Sequence, residues 1–329
     1  MSDYFMGVDL GSTSAKAVIL DASGDLTAAC TIEMGTVSRE GMRQAIERVL
    51  DTAGLQRSDV TGTVGTGYGR RLIPGGVDKI FTEITCHARG VAALCPGVRL
   101  VIDIGGQDNK AIAVDEMGMV VDFAMNDRCA AGTGRFYEVL GRAIETEVAD
   151  LGQLALSGTA NIEVSSICAT FAATEVISLI AVGEAPENIA ASVHRAISSR
   201  TLALVAQVGK RTPIVMTGGV AKNPAAVFYL SQALGEPLQI PPDPQVTGAY
   251  GAALLAKETF GHKSQVAGAA VVAHTDEKIA AALSSAAELA PIPVCATCGG
   301  AHREGGQHTR PSALDNATET VKANLVEFN

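Results

Sequence analysis

Tryptophan is absent from the 329 residues, and aromatic side chains together make up only 4%. Charged side chains are sparse too, at 18% against 47% hydrophobic, in a composition rich in Ala, Gly and Val that suits a globular α/β enzyme. Positive charge is in deficit: 25 Lys and Arg stand against 35 Asp and Glu, a formal net charge of -10. Non-specific nucleic-acid binding relies on counterion release by clustered cations, so no nucleic-acid partner is expected. No apolar run approaches the ~20 residues of a membrane helix, so no membrane span is expected. The start, MSDYFMGVDLG, has neither the basic nor the apolar region of a signal peptide, and a cytoplasmic location is expected. Cysteines are few and odd in number, seven at 30, 86, 95, 129, 168, 295 and 298. That excludes the dense pairing of a secreted disulfide scaffold and makes any special cysteine a metal or redox candidate.

The chain repeats itself. Residues 8–20 read VDLGSTSAKAVIL and residues 102–114 read IDIGGQDNKAIAV, aligned without a gap at an offset of 94. Asp9 falls on Asp103, Gly11 on Gly105 and Lys16 on Lys110. In each copy an apolar strand reaches an Asp, turns on Gly and re-enters a second strand, which predicts a β-hairpin. The turn amides can face phosphate, and one carboxylate per hairpin can organise a divalent cation through water. Two such hairpins imply two related lobes facing one ligand across a cleft.

Further along, IVMTGGVAKNP at 214–224 predicts a strand, a Gly-Gly turn that lets backbone approach a flat ligand, and a helix. TGAYGAALLA at 247–256 opens a last amphipathic helix, and residues 184–209 carry the apolar spacing of a core helix in which His194 is structural. MNDRCAAGTGRF at 125–136 sets the lone Cys129 before a glycine-rich turn and the start of a helix. Such turns usually hold phosphate, for which sulfur has no use. Cys129 is therefore either a packing residue or part of a turn that holds a different anion. Cys30, Cys86 and Cys95 read as inert. Near the end, CATCGGAHREGGQH places Cys295 and Cys298 ahead of His302 and His308, which reads as a zinc site or as a loosely ordered extension.

Two phosphate hairpins, a TGG turn and a closing Gly-Ala-rich helix together resemble the acetate and sugar kinase, Hsp70 and actin superfamily. NDRCAAGTGRF and SSICATFAATEVISLIAVG, with GTGYGR at 65–70 and ITCHARG at 84–90, resemble segments of the activator ATPases of 2-hydroxyacyl-CoA dehydratases and the related ATPase subunits of benzoyl-CoA reductases. The resemblance implies an α/β fold of two ribonuclease H-like lobes around a nucleotide cleft. Residues 1–97 would form the first lobe and 98–262 the second, with its last helix packing back on the first and 263–329 as a C-terminal extension. It further implies an ATP-driven one-electron donor: a homodimer with one [4Fe-4S] cluster between its subunits. Ferredoxin or flavodoxin would supply the electron, and a 2-hydroxyacyl-CoA dehydratase or benzoyl-CoA reductase subunits would receive it.

Carried over position by position, Cys129 and Cys168 would be the cluster ligands and Asp9, Asp103 and Gln107 the catalytic residues. Gly11, Ser12, Thr13, Lys16, Gly105, Gly106, Gly218, Gly219 and Lys222 would hold ATP and Mg2+. One departure is Ala173, where the family pattern has an acidic residue. The residue types agree with the implied cluster, which needs four thiolates, two from each chain of a two-fold dimer. Both cysteines precede helical periodicity, Phe136, Val139, Leu140 and Ala143 after the first and Ala172, Val176, Leu179 and Ile180 after the second. Helix N-termini with free amides would stabilise the anionic cluster. Two other readings remain: a small-molecule kinase of the N-acetylhexosamine type, which needs a carboxylate base in the cleft and no cysteines, and an ATP-dependent scaffold whose cysteines only pack.

Overall fold

The computed structural model describes residues 3–73, 75–126, 132–164 and 169–261, the side chains of 169–173 excepted. Strand β1 (Tyr4–Leu10) is buried along nearly its whole length because helices cover both of its faces. It pairs antiparallel with β2 (Ser14–Leu20), and β2 with β3 (Leu26–Glu33). Helix α1 (Arg39–Ala53) starts where the Ser38 side chain accepts from the Gly41 amide and stops at Gly54, left-handed at φ 67°. Its Met42, Ala45 and Val49 pack on Met6, Val8 and Ile19. The chain returns through β4 (Val60–Thr66), parallel to β1, and the short β5 (Lys79–Ile80), giving the order β3-β2-β1-β4-β5.

After α2 (Glu83–Leu94) the pattern recurs. Strands β6 (Leu100–Ile104), β7 (Asn109–Val114) and β8 (Val120–Asn126) run antiparallel, followed by α3 (Gly134–Ala143), α4 (Leu151–Leu156), α5 (Ala169–Ala181) and α6 (Pro186–Val208). Strand β9 (Ile214–Thr217) lies parallel to β6, and α7 (Pro224–Leu234), β10 (Leu238–Gln239) and α8 (Thr247–Phe260) complete the described chain. The second sheet is β8-β7-β6-β9-β10, so the internal repeat of the sequence is the visible part of a duplication of whole sheets.

The two sheets exchange helices. Helix α2 follows the first sheet but packs Ile84, Ala88 and Val91 on Val101, Ile112 and Val215 of the second. Helix α8 follows the second sheet but packs Ala252 and Ala256 on Phe5 and Val64 of the first. Where α2 and α8 cross, glycine is required: a Cβ on Gly251 would overlap the Cys86 carbonyl, and one on Gly90 the Thr247 carbonyl. The remaining face of the second sheet is covered by α6, whose Ile189, Val193 and Ile197 join the largest core.

His194 of α6 is structural, as expected. Its Nδ1 lies 2.7 Å from the Ala190 carbonyl and its Nε2 3.0 Å from Asn223 Nδ2, so it donates to the carbonyl and accepts from the amide. The face expected on α5 differs in one residue. Val176 is buried and Leu179 packs on the core, but Ile180 is 40% exposed beside Ile177 at 60%. Helices α3 and α6 pack against this helix, and Ile177 and Ile180 stand outside the face they cover. Among the described residues no helix is long and apolar enough to cross a membrane.

Candidate functional site

Both predicted hairpins form, and their turns repeat down to the hydrogen bond. The Gly11 amide donates to the Ser14 carbonyl at 3.0 Å and the Gly105 amide to the Asp108 carbonyl at 2.9 Å. Asp9 sits opposite Lys16 and Asp103 opposite Lys110 across their strand pairs. The turns abut: a Cβ on Gly106 would come within 2.5 Å of the Thr13 hydroxyl. Between the sheets opens a cleft of about 670 Å³. Asp9, Gly11, Ser12, Thr13 and Lys16 line it from the first hairpin, Asp103, Gly105 and Gly106 from the second, and Gly218, Gly219 and Lys222 from the turn after β9. Gly218 has φ 86°, and a Cβ there would overlap the Ile104 carbonyl, so this turn tolerates only glycine.

Gln107 departs from the set. It is half-buried in the same turn but does not line the cleft. Lys222 lines it with its ammonium engaged, 2.7 Å from Gln245 Oε1 and 3.5 Å from Asp243. Gln245 in turn donates to Glu33 at 3.0 Å and Ser14 at 3.3 Å, tying the TGG side of the cleft to the first hairpin. Cys129 and Cys168 lie outside the described residues, as do Cys295, Cys298, His302, His308 and the side chain of Ala173. The burial of Cys30 and Cys95 pushes their thiols up, which fits the expectation that they are inert.

The repeat suggests two equal lysines, and the structure separates them. Among the described residues Lys16 pairs with Asp9 alone, at 3.4 Å. Lys110 is wholly buried, 2.9 Å from Asp108, 3.0 Å from Asp103 and 3.9 Å from Glu83. Burial alone would lower the Lys110 ammonium, but Glu83, Asp108 and Asp103 outweigh it and hold it well above its ordinary value. Burial pushes the Asp103 carboxyl up, and His87 and Lys110, with hydrogen bonds from Lys110 and Thr217, overcome this and hold it well below the usual range. Lys110 is therefore a clamp on carboxylates, and Lys16 has capacity left for a phosphate.

Several cleft residues escaped sequence reasoning, among them Glu83, His87, Asp108 and Tyr137. Asp108 falls on Ser14 in the repeat, so no matching carboxylate marks it. Glu83 and His87 come from α2, which lies between the two hairpins in the chain and belongs to neither. The Tyr137 hydroxyl is buried with no hydrogen-bond partner among the described residues, at the α3 end of the cleft.

One expectation is corrected. The first amides of α3 are not free for an anion: Gly134 donates to the Gly105 carbonyl at 2.9 Å and Arg135 to the Gly106 carbonyl at 2.8 Å. The second hairpin turn occupies them at close range because Gly134 itself carries no side chain: a Cβ there would lie 3.1 Å from the Gly105 carbonyl oxygen and 3.3 Å from the Gly106 Cα. The segment that holds Cys129 thus leads into a helix docked on a cleft-lining turn.

A duplicated α/β fold with paired Asp-Gly hairpins and a Gly-Gly turn around one cleft defines an ATPase of the actin and Hsp70-like class. The chain belongs to the BadF/BadG/BcrA/BcrD ATPase family, which it matches over residues 6–256. It is 44% identical to the activator of lactoyl-CoA dehydratase from Anaerotignum propionicum over 260 residues, 79% of this chain and 100% of that protein. The activator of the 2-hydroxyisocaproyl-CoA dehydratase from Clostridium difficile, solved with bound ADPNP, superposes with a TM-score of 0.76 at 39% identity, covering 82% of this chain and 100% of that one. A benzoyl-CoA reductase subunit of Thauera aromatica is 32% identical over 258 residues, 75% of this chain and 91% of that protein.

Proposed function

We propose that this ATPase is the activator of a 2-hydroxyacyl-CoA dehydratase: a cytoplasmic homodimer that uses ATP hydrolysis to drive one low-potential electron from a shared [4Fe-4S] cluster to its partner. The observation that carries the reading is the pair of hydrogen bonds between the Gly105–Gly106 turn and the first amides of α3. They tie the side of the cleft suited to phosphate to the segment that contains Cys129. Identity of 44% along the full length of a dehydratase activator supports the same reading. The weaker identity, 32%, to a benzoyl-CoA reductase subunit leaves a permanent reductase complex as the second reading.

The cleft fits a nucleoside triphosphate. The turn amides of both hairpins, the Lys16 ammonium and the side-chain-free Gly218–Gly219 bend offer donors and close approach for phosphates. Asp9 and Asp103 would organise Mg2+ through water, and the metal would supply charge neutralisation at the phosphates. Lobe motion that accompanies turnover would pull on α3 through its two amide links. Cys129 and Cys168 from each protomer would hold the cluster, which supplies the electron and is refilled by ferredoxin or flavodoxin. Exposed Ile177, Ile180 and Val182 supply apolar surface on and after the helix that follows Cys168, which suits a dimer contact.

Iron analysis with sedimentation tests the reading. Anaerobically purified protein carries about four irons per dimer, and Cys129→Ser or Cys168→Ser loses most of them while ATP binding persists. Full iron in either variant rejects the ligand assignment, and four irons per isolated monomer rejects the shared cluster. ATP-dependent dehydration of a 2-hydroxyacyl-CoA by an added dehydratase separates the activator from the reductase subunit.

A further inference from the structure

One side chain reaches across the cleft. Gln245 lies where the chain leaves β10 for α8, and the two ends of its amide meet different halves of the fold. Its Oε1 accepts from the Lys222 ammonium at 2.7 Å, beside the Gly218–Gly219 bend, and its Nε2 donates to Glu33 of β3 at 3.0 Å and to the Ser14 hydroxyl of β2 at 3.3 Å. The partners fix which end is which, since an ammonium only donates and an ionised carboxylate only accepts. The backbone here is stitched to the same bend, the Gly218 amide donating to the Pro244 carbonyl at 2.9 Å. Both sets of side-chain bonds therefore coexist only while the bend and the first hairpin stay close.

Lys222 and Lys110 are held in opposite ways. Lys110 is ringed by three carboxylates, whereas the nearest partner of Lys222 is a neutral amide and its carboxylate partner, Asp243, stands at 3.5 Å. A neutral holder fixes an ammonium without cancelling its charge. An ammonium has three donors, and among the described residues Gln245 and Asp243 take two of those of Lys222. The third is open to an anion in the cleft that Lys222 lines. Its side chain is 52% exposed, so without the tie it would keep rotamer freedom that ordering on binding would remove at a cost in affinity.

We propose that Gln245 is a positioning residue for nucleotide binding: it holds the Lys222 ammonium at the phosphates, and its anchor on the first sheet puts that cation in place only when the cleft is closed. This rests on the reading of the cleft as an ATP site. When the lobes part, Nε2 loses Glu33 and Ser14, the amide is free to turn, and Lys222 is left to Asp243. Closure restores the tie, so the binding charge and the lobe position favour each other.

The test uses anaerobically purified full-length protein. Binding of ATP's β,γ-imido analogue is measured by calorimetry in wild type, Gln245→Met, Lys222→Met and the double variant, since methionine keeps an unbranched chain and removes the hydrogen bonds. Each single variant is expected to bind about tenfold more weakly, the loss of one charge-assisted contact. The double variant should bind no more than about threefold more weakly than Lys222→Met, because Gln245 acts through that lysine. In turnover the loss should appear as a raised KM for ATP, with kcat changed by less than about threefold. Glu33→Leu should also weaken binding, although it removes a negative charge from the cleft wall, because the anchor is gone. Analogue binding by Gln245→Met within about threefold of wild type overturns the proposal. So do losses that multiply to about a hundredfold in the double variant, which would make Gln245 an independent nucleotide contact. Tighter binding by Glu33→Leu overturns it too, since the first sheet would then not anchor the tie. If wild type itself does not bind the analogue, the ATP site fails rather than the positioning. None of the three residues is buried, so the variants are expected to fold, and their melting temperatures check this.

Discussion

Lys110 and Asp103 face each other across β6 and β7, Nζ 3.0 Å from Oδ2, with side chains only 2% and 4% exposed. Their repeat counterparts Lys16 and Asp9 keep the same register but sit 3.4 Å apart and more open, at 11% and 7%. Removing the cation from the buried cluster leaves Asp103, Asp108 and Glu83 uncompensated, and breaking a buried pair this way typically costs about 3–5 kcal/mol. Lys110→Met is therefore expected to lower the unfolding free energy strongly in a denaturant titration. Lys16→Met should unfold near the wild-type midpoint but bind ATP roughly ten- to a hundredfold more weakly, the loss of one charge-assisted contact. Equal destabilisation by the two would refute the division of labour.

The link from cleft to α3 can be cut at one amide. Arg135 donates its amide to the Gly106 carbonyl from the first turn of the helix, where proline is accepted. Arg135→Pro should preserve the fold and ATP affinity within about twofold. If α3 carries lobe motion to the cluster, the variant should lose most of the ATP-induced change in the rate at which a chelator extracts iron. A chelation rate that responds to ATP as wild type does would remove this link from the mechanism.

The crossing of α2 and α8 rests on missing side chains. Gly251→Ala drives a methyl into the Cys86 carbonyl, which is backbone and cannot swing away. Overpacking of this kind costs about 1–3 kcal/mol, so the melting temperature is expected to fall by several degrees. Because α2 also positions Glu83 and His87, ATP turnover should fall more than stability alone explains. A variant with unchanged melting and turnover would mean that the helices part without consequence.

Burial lowers the His194 imidazole to about 4, against its hydrogen bond to the Ala190 carbonyl, which raises it. The unfolded chain titrates near the ordinary value of about 6.5. Between those values the unfolded state binds more protons, so stability falls as pH drops from about 6.5 toward 4, by at most about 1.4 kcal/mol per pH unit from this group. Above that window the contribution is fully present. Melting temperatures measured from pH 4 to 8 should show this slope, and His194→Gln should flatten part of it.

Asn223 illustrates how such packing reaches the cleft. Its Oδ1 caps α7 by accepting from the amides of Ala225 and Ala226, while its Nδ2 is held by His194, so a core histidine orients a cleft-lining residue.

The sequence by itself determined both hairpins, the Gly-Gly turn, the core helix and the duplication, because each is written in local spacing: alternating apolar runs, an Asp, and a glycine where the turn needs one. It also marked Asp9, Asp103 and Lys16 as cleft residues, since a repeat aligned without a gap puts equal residues in equal places, and Gly218 through the Gly-Gly turn after its strand. Tertiary structure decided what the repeat could not. Lys110 became a clamp while Lys16 kept Asp9 as its partner because only the second hairpin folds Asp108 and, from α2, Glu83 against its lysine. The amides of α3 went to the Gly105 and Gly106 carbonyls rather than to an anion because the helix begins on Gly134, whose missing side chain lets its backbone come within hydrogen-bond distance of the turn. Glu83 joined the site only because α2 packs on the sheet that follows it, a burial of apolar side chains that no short window of sequence encodes.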